Sequence, residues 1–155
     1  MPTVAREVME TSFLSLSPQA TIAEAGEVFR RAADTAGRTV FGLMVIDEAG
    51  KPVGMLSMYD IFLLIRPKHI HIWGEMEDLD VAGIIDRACA KAKQVRVSDV
   101  MTTDLITISP ETHLLHVIDI MIKRHVRRLP VIEDGRVVGL VYMSRVFRRL
   151  LERLA

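Results

Sequence analysis

Ser57 and Asp60 stand three residues apart at the head of an apolar stretch that runs from Met58 to Ile65, and this spacing gives them two uses. As local structure, Ser57 is a helix N-cap and Asp60 a first-turn acid favoured by the helix dipole. As a site, a carboxylate in that place accepts hydrogen bonds from two neighbouring hydroxyls, and the serine hydroxyl can reach a sugar or phosphate. A second grouping is cationic. Five of the six residues from Lys123 to Arg128 are basic, Arg127 and Arg128 among them. Alternation along a strand sends these two arginines to opposite faces, so one pocket receives at most one of them; a solvated basic edge is the plain alternative. His69 and His71, two apart with Glu75, Glu77 and Asp78 nearby, are weak candidates for a metal, against a reading as neighbours of Ile70 and Ile72 in a docking strand. His113 and His116, three apart, read as surface positions of a helix. No nucleophile–base pair, phosphate-cradling loop or paired-carboxylate constellation is recognisable in the sequence, which predicts a protein that is not an enzyme.

The elements that must position these residues come twice. Val8-Met9 followed by Phe13-Leu-Ser-Leu-Ser-Pro18 returns as Val100-Met101 followed by Leu105-Ile-Thr-Ile-Ser-Pro110, a constant offset of 92 residues. In the first copy Thr21 and Glu24 form a capping-box pattern before a helix over about 22–33, which Gly37 closes. Residues 39–46 and 53–56 read as strands about a turn at Asp47-Glu-Ala-Gly50, and 58–65 as a helix ended by Pro67. The second copy repeats this order as strand 105–108, helix 112–124, strand 128–133, turn Asp134-Gly135, strand 136–142 and helix 144–154. Each copy is therefore a β-α-β-β-α unit. The first carries six further residues before its middle strand, expected as a loop over 31–39.

Residues 66–96 belong to neither copy. Trp73 and several isoleucines, with Val81, Ile84, Ile85, Ala88, Cys89 and Ala92 at helical spacing, predict an ordered helical insert and not a flexible linker. Trp73 reads as a packing anchor. A single cysteine excludes an internal disulfide and fits a reducing cytoplasm. Twenty basic and twenty acidic residues cancel, which removes the general attraction that carries non-specific nucleic-acid binding. The N-terminus shows no signal-peptide pattern and no stretch reaches a membrane span, so the expectation is a cytoplasmic protein without membrane association. At 50% hydrophobic residues there is material for a core and for an apolar face that a second subunit covers, so a homodimer is expected.

Four pieces carry a resemblance. Val97-Ser-Asp-Val-Met-Thr102, Arg128-Leu-Pro-Val-Ile132, Asp134-Gly-Arg-Val-Val-Gly139 and Gly54-Met-Leu-Ser-Met-Tyr-Asp60, in duplicated order, resemble a tandem pair of cystathionine-β-synthase (CBS) domains, also called a Bateman module. The resemblance takes in the chain except the insert and the ends. It implies an α/β (α+β) fold of two β-α-β-β-α CBS repeats sharing one core, with repeat 1 over 1–65, the insert over 66–96 and repeat 2 over 97–155. It further implies a regulatory, energy-sensing module that dimerises and binds AMP, ADP, ATP or S-adenosylmethionine in a cleft between repeats, with no required cofactor and an unknown regulated protein as partner. Ser57 and Asp60 match the family's ribose motif, and Met55, Thr102, Thr103, Leu105 and Ile106 join them as nucleotide-binding candidates, with Arg127 and Arg128 for phosphate. Tyr142 and Arg145 depart from the motif at the equivalent places of repeat 2, so one nucleotide per chain is expected. The alternatives are a protein-interaction module with degenerate pockets, and a metal-responsive protein using His69 and His71.

Overall fold

The computed structural model describes residues 2–37, 40–67 and 80–155. His69, His71, Trp73 and the acidic run beside them lie outside the described residues. The chain divides into two compact units, Leu14–Ile46 with Val53–Thr103, and Met1–Phe13 with Asp47–Pro52 and Asp104–Ala155. We call them the first-repeat and second-repeat units.

In the first-repeat unit, β1 (Ser15–Leu16) lies parallel to β2 (Gly42–Ile46), which is central in the order β1-β2-β3 with β3 (Pro52–Ser57). Gly42 to Val45 are all buried, as a central strand covered on both faces requires. Helix α1 (Ile22–Ala36) begins with the expected capping box. Glu24 N–H donates to Thr21 Oγ1 at 3.2 Å, and Thr21 N–H donates back to Glu24 Oε1 at 3.4 Å. Gly37 ends the helix at φ 67°, where glycine alone is unstrained. The extra residues of this repeat are therefore largely helical: α1 continues through Ala36 and buries Ala32, because alanines sustain the helix up to the glycine stop. Helices α2 (Met58–Ile65), α3 (Val81–Ala92) and α4 (Val97–Val100) complete the unit. The helical spacing read in the insert thus holds over 81–92, with Asp80 as N-cap accepting from Gly83 N–H at 3.0 Å.

The second-repeat unit holds α5 (Leu114–Arg124), β4 (Arg128–Glu133), β5 (Arg136–Tyr142) and α6 (Met143–Leu154). β4 and β5 pair antiparallel about Asp134 and Gly135, whose φ values of 53° and 77° are those of a type I′ turn. The strand expected over 105–108 is reduced to a parallel bridge between Ile108 and Val131. Backbone pairing there is confined to Ile108, which donates to Pro130 O at 3.0 Å and accepts from Ile132 N–H at 2.8 Å.

The segment leading into each repeat packs in the unit of the other repeat. Val97 N–H donates to Ala20 O and Ser98 N–H to Pro18 O, at 2.8 and 3.0 Å. Ala5 N–H donates to Thr112 O and Arg6 N–H to Pro110 O, at 2.9 and 2.8 Å, and every residue in this second set stands 92 positions from its counterpart. Within the units the buried side chains form two clusters. Val97 joins Leu16, Ala25, Val45 and Leu56; Ala5 and Val8 join Val117, Leu129, Val131 and Val141. Each repeat lacks one wall of its own cluster and receives it from the other repeat's lead-in.

Among the described residues four helices expose large apolar side chains, α3 with Val81 and Ile85, α5 with Leu115 and Ile122, and α2 and α6 with more. On α2 these are Tyr59, Phe62 and Leu63, and on α6 Met143, Phe147, Leu151 and Leu154, while Val146 of α6 is buried.

Candidate ligand site

The site begins as a helix cap. At the head of α2, Ser57 Oγ accepts from Asp60 N–H at 3.1 Å, and Asp60 Oδ2 accepts from Ser57 N–H at 2.8 Å and Ser57 Oγ–H at 3.0 Å. This reciprocal pair satisfies helix N–H groups and sets a carboxylate on the positive end of α2. The other oxygen, Oδ1, accepts from Thr102 Oγ1–H at 3.2 Å. Thr102 comes from the exchanged lead-in, where it and Met55 exchange two backbone hydrogen bonds of 2.9 Å. The capping and binding readings of Asp60 thus coexist: Oδ2 is committed to the cap, while Oδ1 meets a single exposed hydroxyl.

Close backbone approach explains the small residue before Met55. A Cβ on Gly54 would lie 2.6 Å from Met101 Sδ and 2.9 Å from Thr102 O. The second-repeat unit repeats the arrangement. Glu10 and Leu140 exchange backbone bonds of 2.8 and 2.9 Å, and a Cβ on Gly139 would lie 2.8 Å from Met9 Sδ.

Of the residues singled out in the sequence, Met55, Ser57, Asp60, Thr102 and Thr103 fall in the first-repeat unit, where Ser57, Asp60 and Thr102 form one hydrogen-bonded set. Leu105, Ile106, Arg127 and Arg128 belong to the second-repeat unit. Ile106 packs against that unit's core, Arg127 is exposed, and Arg128 is half-buried opposite Tyr142. Burial lowers the Arg128 pKa below the usual guanidinium value; Tyr142 opposes this and neighbouring Arg127 adds to it. Arg127 stands just before β4 and Arg128 is its first residue.

Arg145 is ion-paired with Glu10 in the second-repeat unit. Glu10 is a position that reading the motifs alone misses. Its signal was available: Glu10 stands 92 residues before Thr102, as Arg145 stands 85 after Asp60. Tyr142, in the place of Ser57, is the N-cap of α6 and makes no side-chain cap hydrogen bond. Among the described residues no group of three or more His, Cys, Asp or Glu side chains could hold a metal ion, and His113 and His116 are exposed. No helix among them is long and apolar enough to cross a membrane.

Two units built from equivalent segments, the second with its first strand reduced to the Ile108 bridge and each ending in a strand–helix turn that carries a polar contact, define a tandem module of the Bateman type. The chain belongs to the CBS-domain family, whose model matches residues 5–67 and 97–152. It is 26% identical over 141 residues to the CBS domain-containing protein YhcV of Bacillus subtilis, covering 90% of this chain and 79% of that protein. Its fold is similar to that of the CBS-pair protein CBSX2 of Arabidopsis thaliana, with a TM-score of 0.76, 22% identity and coverage of 99% and 98%. It is also similar in fold to the CBS domain pair of protein MJ0100, crystallised with 5′-methylthioadenosine and S-adenosyl-L-methionine, with a TM-score of 0.66, 21% identity and coverage of 98% and 99%. Several curated relatives are longer proteins, of which the chain spans 29–51%.

Proposed function

We propose that this chain is a non-catalytic regulatory CBS pair that binds an adenine nucleotide or related adenosyl compound, with the ribose hydroxyls on Asp60. The observation that carries the reading is the Asp60 carboxylate, fixed through Oδ2 by the α2 cap and bonded at Oδ1 by one exposed threonine hydroxyl. A ribose hydroxyl makes the same kind of O–H···O⁻ bond as Thr102 and replaces it without loss of a hydrogen bond. The MJ0100 pair, of similar fold, was crystallised with two adenosyl compounds, which supports the ligand class. Contributions of Leu105 and Ile106 to the base and of Arg127 or Arg128 to phosphate belong to the same proposal and are separable by substitution.

The proposal includes a homodimer in a reducing compartment. Tyr59, Phe62 and Leu63 on α2 and Phe147, Leu151 and Leu154 on α6 are too many exposed large apolar side chains for two short helices that face only water.

The test is thermal shift with AMP, ADP, ATP and S-adenosylmethionine, followed by calorimetry on Asp60→Asn. We expect at least one compound to raise the melting temperature of the wild type, and the variant to bind it about 10- to 100-fold more weakly, the loss of a charged hydrogen bond. No shift with any of the four would favour the alternative of an interaction module.

A further inference from the structure

We infer that the Glu10–Arg145 ion pair closes, in the second-repeat unit, the position that Asp60 holds open in the first, and that this pair restricts the chain to one ribose-bearing ligand. The inference rests on the ribose reading of Asp60 proposed above. Its basis is a correspondence of backbone. Thr102 pairs with Met55 by two hydrogen bonds beside Gly54 and Met101; Glu10 pairs with Leu140 by two hydrogen bonds beside Gly139 and Met9. The side chains that face each other across these matched frames are Asp60 with Thr102, and Arg145 with Glu10.

The polarity of the contact is reversed between them. In the first-repeat unit the helix residue accepts and the lead-in residue donates through a neutral hydroxyl, a bond that a ligand hydroxyl can take over. In the second-repeat unit the helix residue is a guanidinium, which only donates, and its acceptor is the carboxylate of its own chain. A vicinal diol arriving there finds no carboxylate on the helix to accept its O–H groups, and can itself accept only from a guanidinium already paired with Glu10. Its two hydroxyls would have to displace Glu10 from a charge-assisted bond, with side chains that are 39% and 41% exposed.

The two substitutions are also consistent only together. Glu10 against an aspartate would set two carboxylates side by side, and Arg145 against a threonine would leave a cation without its counter-ion. Tyr142 extends the change, since a phenol ring occupies the place of the Ser57 hydroxymethyl group and gives α6 no side-chain cap.

The experiment converts the second unit into a copy of the first with Glu10→Thr, Tyr142→Ser and Arg145→Asp, and counts sites by equilibrium dialysis with AMP, ATP and S-adenosylmethionine. The wild type is expected to bind one molecule per chain and the triple variant two. Adding Asp60→Asn to the triple variant should return it to one. A folded triple variant still at one, or a wild type that binds two, overturns the inference while the ribose reading of Asp60 stands. A wild type that binds none of the three probes overturns that reading and this inference with it. A second measurement needs no ligand: in a cycle of Glu10→Ala, Arg145→Ala and the double variant, the fall in melting temperature of the double should be smaller than the two single falls combined. Additive falls would show that the two residues are not coupled, which overturns the inference.

Discussion

Replacing Gly54 by alanine tests the contact that holds the exchanged lead-in on the first-repeat unit. The new Cβ would sit 2.6 Å from Met101 Sδ, 2.9 Å from Met101 Cγ and 2.9 Å from Thr102 O. The methionine sulfur is the end of a flexible chain and can swing aside. The carbonyl cannot, because it accepts from Met55 N–H at 2.9 Å while Thr102 N–H donates to Met55 O at 2.9 Å. Restoring an ordinary contact means moving that carbonyl by several tenths of an ångström and stretching both bonds together. Overpacking of this kind costs about 1–3 kcal/mol. Weakening two backbone hydrogen bonds adds about 1 kcal/mol, and the lower entropy of an unfolded alanine returns roughly 0.5 kcal/mol. The net loss is about 1.5–3.5 kcal/mol, and in a chain of this length a melting temperature falls by about 2–4 °C per kcal/mol, so the drop is about 3–14 °C. Differential scanning calorimetry reads it directly. Gly26→Ala is the internal control. A Cβ there meets nothing within 4 Å in α1, so helix propensity predicts a gain of about 0.5–1 kcal/mol. If Gly54→Ala melts with the wild type while Gly26→Ala melts higher, the lead-in is not held against β3 as described and the reasoning fails.

Ser57→Ala removes the acceptor for Asp60 N–H but leaves Ser57 N–H to hold Oδ2, so stability should fall by about 1 kcal/mol. A thermal melt checks this, and calorimetry with the compound that binds the wild type should show far less weakening than Asp60→Asn produces. Val8→Ala opens a hole beneath the other lead-in, where Val8 is fully buried beside other apolar side chains of the second-repeat core, and should cost about 2 kcal/mol in urea unfolding. The same loss from Val4→Ala, at a half-exposed position, would show that burial is not the cause.

What could be read along the chain was what neighbouring residues decide. The Thr21–Glu24 and Ser57–Asp60 capping boxes, the Asp134-Gly135 turn and the glycine stop at Gly37 all act within a few residues, and the spacing alone exposes them. The 66–96 insert showed its helix over 81–92 for the same reason. The exchange of lead-ins has no such mark. Ala5 and Val97 have the burial that their small apolar character predicts, but an offset of 92 says only that they are equivalent, not whose core they enter. The bond from Thr102 to Asp60 crosses 42 residues, and the pair of Arg145 with Glu10 crosses 135. The loop expected over 31–39 gives way to helix as far as Ala36, because Ala32, Ala33 and Ala36 favour carrying α1 on to Gly37.

The exchange also explains how a duplicated chain can hold two unequal sites. Each polar contact takes one residue from each repeat: Asp60 of the first meets Thr102 of the second, and Arg145 of the second meets Glu10 of the first. Neither contact shares a residue with the other. The apolar frame beneath them, Val97, Val45 and Leu56 in one unit and Val8, Val131 and Val141 in its counterpart, is buried and nearly identical in character. Changes at Glu10 and Arg145 therefore act on a contact that has no residue in common with the pair of Asp60 and Thr102. A symmetric frame constrains the backbone, while the half-exposed polar pairs laid on it remain separately adjustable. Under the proposed ribose reading, a ligand on Asp60 would compete with Thr102, a residue one step from the boundary where the chain passes into the other unit after Thr103. The hydrogen bond that such a ligand would replace is made by the segment through which the two repeats are joined.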